Sequence, residues 1–370
     1  MSSNKTLLIF AYDFPPSSGG ISRLCYEIAL GQEAYYDKIV VLTRKKTGEH
    51  KPSKASNFRL IELPAKRIKC ELEAIKIIMR FEKSSTIILC GLWYPEAFLA
   101  LISGHKNVFS LAHGAEFQSG NSKFRKYFWH GIFAKFILRK INKVISNSNY
   151  TKTLVNQISK ACNCEALPLG VDINQFRPLN FSREKNKFVI GSLSRIHQFK
   201  GYDQILEALQ NLPENIQKNI VWKIGGTGPY LSKFKEKIKE FKPKFEIVFL
   251  GFIRDESLAE YYNGMDIFVL FTQDISTQNS VEGFGLVFLE AQACGTPVIG
   301  TNTGGIPDAV EYDYGGWLFH QNDVNGLKGQ IEKLYIDESL LKEQSVFARK
   351  RCVEKFSWEL YNKKIFRILE

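Results

Sequence analysis

The chain has 370 residues, 44% of them hydrophobic, enough for two cores of ordinary domain size. No apolar stretch reaches the 18 or so residues of a membrane span, and seven scattered cysteines without a Cys-x2-Cys pair support neither a disulfide framework nor a zinc site. The formal net charge of +12 belongs to the first half: residues 1–170 hold 25 Lys/Arg against 12 Asp/Glu, residues 171–370 hold 25 against 26. Such asymmetry points to a polyanionic surface met by one domain, either nucleic acid or anionic lipid.

Met1–Lys5 lead straight into a strand-like run, too soon broken by Asp13 and Pro15 for a secretory leader, so a cytoplasmic protein is expected. In chain order the expected strands are Leu7–Phe10, Ile39–Leu42, Ile87–Leu89, Val108–Leu111 and Val144–Ser146 in the first half. In the second they are Val189–Ser192, Val221–Ile224, Ile247–Leu250, Ile267–Leu270 and Val298–Gly300. Helical patterns such as Ile205–Gln210, Tyr230–Phe241 and Ser257–Tyr262 lie between them. Alternation of this kind predicts parallel, doubly wound sheets, here two Rossmann-like domains of five strands each. The Pro- and Gly-punctuated stretch 168–178 marks the junction, giving domains 1–175 and 176–355; Trp358 is expected to anchor a last helix, about 356–370, back on the first domain.

The most informative stretch is Glu282-Gly-Phe-Gly-Leu-Val-Phe-Leu-Glu290. Its glycines admit a ligand close to the backbone, and the following apolar run starts a helix. On one helix, residues eight apart face nearly the same side, so Glu282 and Glu290 would act together. A helix N-terminus suits a diphosphate and a carboxylate two turns on suits ribose hydroxyls, so a nucleotide sugar is the ligand these residues predict. Arg195 and Lys200 share one loop after the strand Val189–Ser192, where two cations would neutralise a diphosphate whose charge grows as it leaves. Gly19 and Gly20 offer backbone amides to the same anion.

Taken together, Pro15-Pro16-Ser17-Ser18-Gly19-Gly20-Ile21, His113-Gly114, Arg195 with Lys200-Gly201, and the Glu282–Glu290 segment resemble, in order, the signature of retaining GT-B glycosyltransferases of family 4. The resemblance spans nearly the whole chain. It implies an α/β GT-B fold, two Rossmann-like domains facing across a deep crevice, and transfer of a hexose-type sugar to an acceptor hydroxyl with retention, the leaving phosphate serving as base. It also implies roles: Arg195 and Lys200 on the donor phosphates, His113 near the anomeric centre, Glu282 on sugar hydroxyls with the amides of Phe284, Gly285 and Leu286, and Glu290 on the ribose. Glu116 is a candidate acceptor contact. Asp308, where the family commonly has Glu, reads as a helix cap. With no Asp-x-Asp triplet anywhere, no metal or other cofactor is expected, and the cations take over the metal's electrostatic task.

Residues 123–143 hold seven Lys/Arg, no acid and many aromatic side chains, the composition of an interfacial helix. With the basic first half it points to peripheral association with the inner face of the cytoplasmic membrane, where a lipid-linked oligosaccharide acceptor would be met. The product expected is a cell-surface polysaccharide or lipopolysaccharide. A GT-B-fold epimerase or phosphorylase remains open beside this reading. A nucleic-acid-binding protein rests on charge alone, without a recognisable module. A dinucleotide-binding dehydrogenase is disfavoured because the first strand runs into Pro15-Pro16, not Gly-x-Gly-x-x-Gly.

Overall fold

The computed structural model describes residues 5–17, 19–45, 57–118, 122–179, 187–274 and 281–370. Ser18 of the Pro15–Ile21 motif and residues 1–4 lie outside the described residues. The chain forms two compact units, Met1–Leu169 with Trp358–Glu370, and Gly170–Ser357. The division falls between Leu169 and Gly170, ahead of the expected 175/176, because Val171 bridges to Ser357 and its N–H donates to Phe356 O inside the second unit.

The first unit contains a seven-stranded parallel sheet of β1 (Thr6–Phe10), β2 (Lys38–Arg44), β3 (Arg59–Leu63), β4 (Thr86–Cys90), β5 (Val108–Ala112), β6 (Lys143–Ser146) and β7 (Cys164–Ala166), in the order β3-β2-β1-β4-β5-β6-β7. The central strands β1 and β4 are apolar on both faces, as strands covered on both sides must be, and pair Leu8 with Ile88 and Phe10 with Cys90. One sheet face, with Leu8, Phe10, Val40, Leu42, Ile88 and Val144, shares a core with helix Arg67–Ile78, helix Phe98–Ile102 and the π-helical segment Arg125–Ala134 that continues as Lys135–Leu138. The right-handed crossover rule puts helix Gly20–Gln32 on the other face.

Helix Trp358–Leu369 joins this unit. Its buried positions Trp358, Tyr361, Ile365 and Leu369 recur at helical spacing, and Asn362 Nδ2 donates to Glu27 O at 3.1 Å while Gln32 Nε2 donates to Asn362 O at 2.9 Å. Phe366 stacks on Tyr35 with ring centres 4.5 Å apart.

The second unit holds a six-stranded parallel sheet of β8 (Phe188–Leu193), β9 (Ile220–Gly225), β10 (Glu246–Gly251), β11 (Ile267–Val269), β12 (Val298–Thr301) and β13 (Gly316–Phe319), ordered β10-β9-β8-β11-β12-β13. The expectation of five strands per domain is therefore corrected to seven and six. The strands that patterning misses are β3, β7 and β13, and all three are sheet edges. For β3 and β7 the reason is incomplete cover, which needs no continuous apolar run, and along β3 only Leu63 is buried; β13, Gly-Trp-Leu-Phe, is apolar but only four residues long. All seven cysteines are free, and six of them are buried.

Candidate active site

In the second unit the site is built on the loops that follow β8, β9 and β11. Ser194–Lys200 leaves β8 and lies backbone to backbone against the loop after β9: Ile196 N–H donates to Thr227 O at 2.9 Å, and Tyr230 N–H donates to Ile196 O at 3.1 Å. The loop ends in a short 3₁₀ turn, Gln198–Lys200, and then Gly201 at φ 79°. A Cβ there would sit 1.9 Å from Phe271 O, so only glycine lets the turn close onto the end of β11. That closure places Lys200.

Lys200 Nζ reaches Glu282 Oε2 at 2.6 Å with both side chains mostly covered, and Nζ also lies 5.0 Å from the centre of the Phe199 ring. Burial pushes the Glu282 carboxyl up, but the Lys200 charge and the N–H groups of Phe284 and Gly285 outweigh it and hold the group below the usual carboxylate range. Arg195, on the same loop, is exposed. His197 lies between the two cations; partial burial and then their positive charge push its imidazole down, so it is neutral at pH 7. The loop thus presents cationic and neutral donors without a second carboxylate of its own.

Helix Leu286–Ala293 begins after Gly285, which stands in the left-handed region at φ 90°. Glu282 therefore precedes the helix, and the expected arrangement of two carboxylates on one helical face is corrected. Segment 282–285 is a loop because it packs on the backbone of a second loop: Gly305 N–H donates to Glu282 O at 2.9 Å, and a Cβ on Gly305 would fall 1.9 Å from Gly283 O. Two amides expected to face the sugar, those of Phe284 and Gly285, here serve the Glu282 carboxylate. Leu286 opens the helix and Phe284 is buried beneath it.

Glu290 is buried on that helix and accepts a hydrogen bond from the Tyr262 hydroxyl at 2.8 Å. Lys200 and Glu282 are thus brought together, whereas Glu290 is held separately by a tyrosine that the sequence does not single out. Asp308 lies in the first turn of helix Ile306–Ala309, whose N-cap is Gly305, so Asp308 is not the cap it was expected to be.

In the first unit the expected residues sit at the C-terminal ends of the strands. Gly19 caps helix Gly20–Gln32 without a side-chain hydrogen bond, and both Gly19 and Gly20 have open space where a Cβ would project. His113 follows β5. Its Nε2 lies 2.9 Å from Gly91 O, an acceptor only, so this nitrogen carries the proton. His113 N–H donates to Glu116 Oε1 at 2.7 Å, and Asn147 Nδ2 donates to His113 O at 3.3 Å. Glu116 is engaged in fixing the histidine loop.

One residue escaped the sequence reading. Glu96, just after β4, is 1% exposed; its Oε1 accepts from Tyr12 N–H at 3.2 Å and its Oε2 has no partner. Burial, reinforced by the nearby charges of Asp13 and Glu116, pushes its carboxyl up to about 8, so it is neutral through most of the physiological range.

Residues 175–351 match the family described as glycosyl transferases group 1. Over 377 residues, covering 95% of each chain, the protein is 25% identical to a GDP-mannose-dependent alpha-(1-6)-phosphatidylinositol monomannoside mannosyltransferase of Mycobacterium tuberculosis (strain CDC 1551 / Oshkosh). Among solved structures it resembles Anabaena HepE in complex with UDP and glucose, with a TM-score of 0.77 over 99% of each chain at 18% identity. It also resembles WaaG, a glycosyltransferase involved in lipopolysaccharide biosynthesis, with a TM-score of 0.70 over 98% of this chain and 99% of that one at 16% identity. Two parallel sheets and these likenesses give the chain the fold of GT-B glycosyltransferases, with a second unit that matches the glycosyl transferases group 1 model.

Proposed function

We propose that the protein transfers a hexose-type sugar from a nucleoside-diphosphate sugar to an acceptor hydroxyl with retention and without a metal ion, in the assembly of a cell-surface polysaccharide or lipopolysaccharide. The observation that carries this reading is the covered Lys200–Glu282 pair, 2.6 Å apart, on a loop that also bears Arg195. A diphosphate arriving beside Lys200 and Arg195 meets fixed positive charge, which matters most as the C1–O bond to phosphate breaks and the leaving group takes the electron pair. The acceptor oxygen bonds to C1 and its proton passes to the leaving phosphate. Glu282, ionised at neutral pH, accepts hydrogen bonds from sugar hydroxyls, and Glu290 from the ribose. The amides of Phe284 and Gly285 act through Glu282, which they hold ionised, and the amide of Leu286 assists at the sugar end. His113, its Nε2 proton committed to Gly91 O, is assigned to the sugar near the anomeric carbon, and the amides of Gly19 and Gly20 to the diphosphate.

The mycobacterial relative is a GDP-mannose-dependent mannosyltransferase of phosphatidylinositol monomannoside and the HepE structure holds UDP and glucose, which supports a nucleotide-sugar donor and a lipid-linked acceptor. The enzyme would then work in the cytoplasm, peripherally on the inner face of the membrane, with no nucleic acid involved. The test is to incubate the purified chain with GDP-, UDP- and ADP-hexoses and short glycan acceptors in excess EDTA, and to read the product's anomeric configuration by NMR. Transfer with retention is expected. Epimerised or phosphorolysed donor without transfer would favour the rival GT-B activities, and activity lost to EDTA and restored by Mn²⁺ would overturn metal independence.

A further inference from the structure

The helical layer on one face of the first sheet is apolar on its inner side, as any such layer is, and also on its outer side. In Arg125–Ala134 and its continuation Lys135–Leu138, the inward residues His130, Ala134, Ile137 and Leu138 are buried. Every fourth residue on the opposite side, Phe124, Phe128, Ile132 and Phe136, together with Tyr127, remains 52% to 67% exposed. Helix Arg67–Ile78 repeats the pattern: Cys70, Ala74 and Ile78 are buried, while Ile68, Leu72 and the following Met79 are 56% to 74% exposed.

The two rows belong to one surface. Both elements cover the same sheet face, and the short helix Phe98–Ile102 lies in the same core with its own exposed Ile102. Arg67 Nη2 donates to the Tyr94 hydroxyl at 3.2 Å, Tyr94 meets Trp129 edge to face at 4.8 Å, and Phe98 meets Phe133 at 5.4 Å. Neighbouring helices pack about 10 Å apart, so the rows flank a broad surface and not a narrow seam. Contiguous exposed apolar area of this extent marks an interaction site.

Charge decides the occupant. Residues 123–143 carry seven Lys/Arg and no acid, and Lys126 and Lys140 lie over the exposed rings of Tyr127 and Phe136 at 5.7 and 4.9 Å. Around the second row Lys66, Lys69, Arg80 and Lys83 are exposed, while the helix's acids Glu71 and Glu73 pair with Arg67 and Lys76 and Glu82 is an exposed acid beyond it. A second copy docking by two-fold symmetry would bring these cations against themselves. A bilayer with anionic headgroups takes both features at once, apolar rows at the acyl boundary and cations among the phosphates.

We infer that the outer faces of Arg67–Ile78 and of Phe124–Lys140 form one two-row platform that docks the enzyme on an anionic bilayer. This names the surface on which the proposed lipid-linked acceptor is met, and it rests on that reading only for its purpose; docking itself is measured without any transfer reaction. The platform extends beyond the 123–143 stretch because one row would leave the unit free to roll about the helix axis, whereas two rows fix its tilt.

The experiment is co-sedimentation of the full chain with vesicles of phosphatidylcholine alone or with added phosphatidylglycerol. The wild type is expected to bind only the anionic vesicles, and less as salt rises, because exposed charges are screened beyond about 8 Å at physiological ionic strength. Lys123→Ser/Lys126→Ser/Lys140→Ser should lower partitioning by about 10². Phe128→Ser/Ile132→Ser and, separately, Ile68→Ser/Leu72→Ser should each lower it by about tenfold or more. Circular dichroism and transfer to a short soluble acceptor should be unchanged in all three, since every substituted residue is exposed. A wild type that ignores anionic vesicles overturns the inference, as does retained binding in the Ile68/Leu72 variant, which would reduce the platform to a single row. A concentration-dependent dimer abolished by Phe128→Ser/Ile132→Ser would assign the face to a second copy and overturn it equally. A wild type that binds anionic vesicles but transfers no sugar would count against the catalytic reading alone.

Discussion

The two units place their functional groups in opposite ways. In Gly170–Ser357 the candidate groups are held before any ligand arrives: the Lys200 loop closes on Phe271 through Gly201, the Glu282 loop lies against Gly305, and Lys200 and Glu282 neutralise each other under cover. In Met1–Leu169 Gly19 and Gly20 have open space where a Cβ would project, a neutral carboxyl is buried at Glu96, and the unit's basic charge is spread over an exposed apolar layer. The lesson is a division of labour. Preorganised charge costs nothing at the moment of reaction and belongs where charge develops; an open, basic, apolar surface suits a large acceptor of variable shape.

The most disruptive way to break this comparison is to remove the preorganised cation. Lys200→Ala should lower turnover by roughly 10² or more, the loss expected when one donor to a developing anion is removed, and Arg195→Ala should fall the same way without touching Glu282. The two variants differ in titration. Because Lys200 helps hold Glu282 below the ordinary carboxylate range, the wild type gains stability above the unfolded-state pKa and loses it as pH falls through the lower folded value. Lys200→Ala should lose that gain while Arg195→Ala keeps it. Steady-state rates and denaturant midpoints at pH 3 to 7 check both statements, and near-normal turnover in both variants would remove the loop from the mechanism.

A second test bears on the first unit. The folded Glu96 binds its proton up to about pH 8, whereas the unfolded chain releases it near 4.5, so the native state holds more protons in that window and stability must fall as pH rises through it. The slope is at most about 1.4 kcal/mol per pH unit. Glu96→Gln keeps the shape and removes the titration. Its denaturant midpoint should vary less between pH 5 and 8 than that of the wild type; identical slopes would mean that Glu96 is solvated as an ordinary carboxylate.

The comparison also explains what the sequence discloses. The central strands were legible because burial on both faces demands runs such as Leu7–Phe10 and Val298–Gly300, whereas the edges β3 and β7 carry no such run; β13, a four-residue Gly-Trp-Leu-Phe, is apolar but short. Lys200 and Glu282 were legible as residue types in order, but not as a pair 82 positions apart, since that contact is made by two loops closing on glycines. Reading Glu282 onto the helix failed because an apolar run gives the helix's existence and not its first residue, which Gly285 sets. Glu96 was passed over because a lone Glu after Pro95 carries no pattern; its meaning lies in being surrounded. The apolar stripe of Arg67–Ile78 was invisible for a different reason: its spacing is that of any half-buried helix, and only the structure shows which side faces out.

The finest distinction lies within the preorganised unit, between its two glutamates. Glu282 meets a cation and two amides, while Glu290 meets the Tyr262 hydroxyl, so their losses should separate. Glu290→Ala should weaken binding of the free nucleoside diphosphate by about 1–3 kcal/mol, because a charge-assisted hydrogen bond to ribose is lost. Glu282→Ala should leave that binding almost unchanged and lower transfer. Tyr262→Phe is the sharper control: it removes the group that holds Glu290, costs about 1 kcal/mol of stability, and should weaken nucleoside diphosphate binding by less than Glu290→Ala, since the carboxylate itself remains. Calorimetry of the three variants decides it. Equal losses for Glu282→Ala and Glu290→Ala would mean that the two carboxylates act on one part of the donor, and an unchanged affinity in Glu290→Ala would confine Glu290 to its bond with Tyr262 in the core.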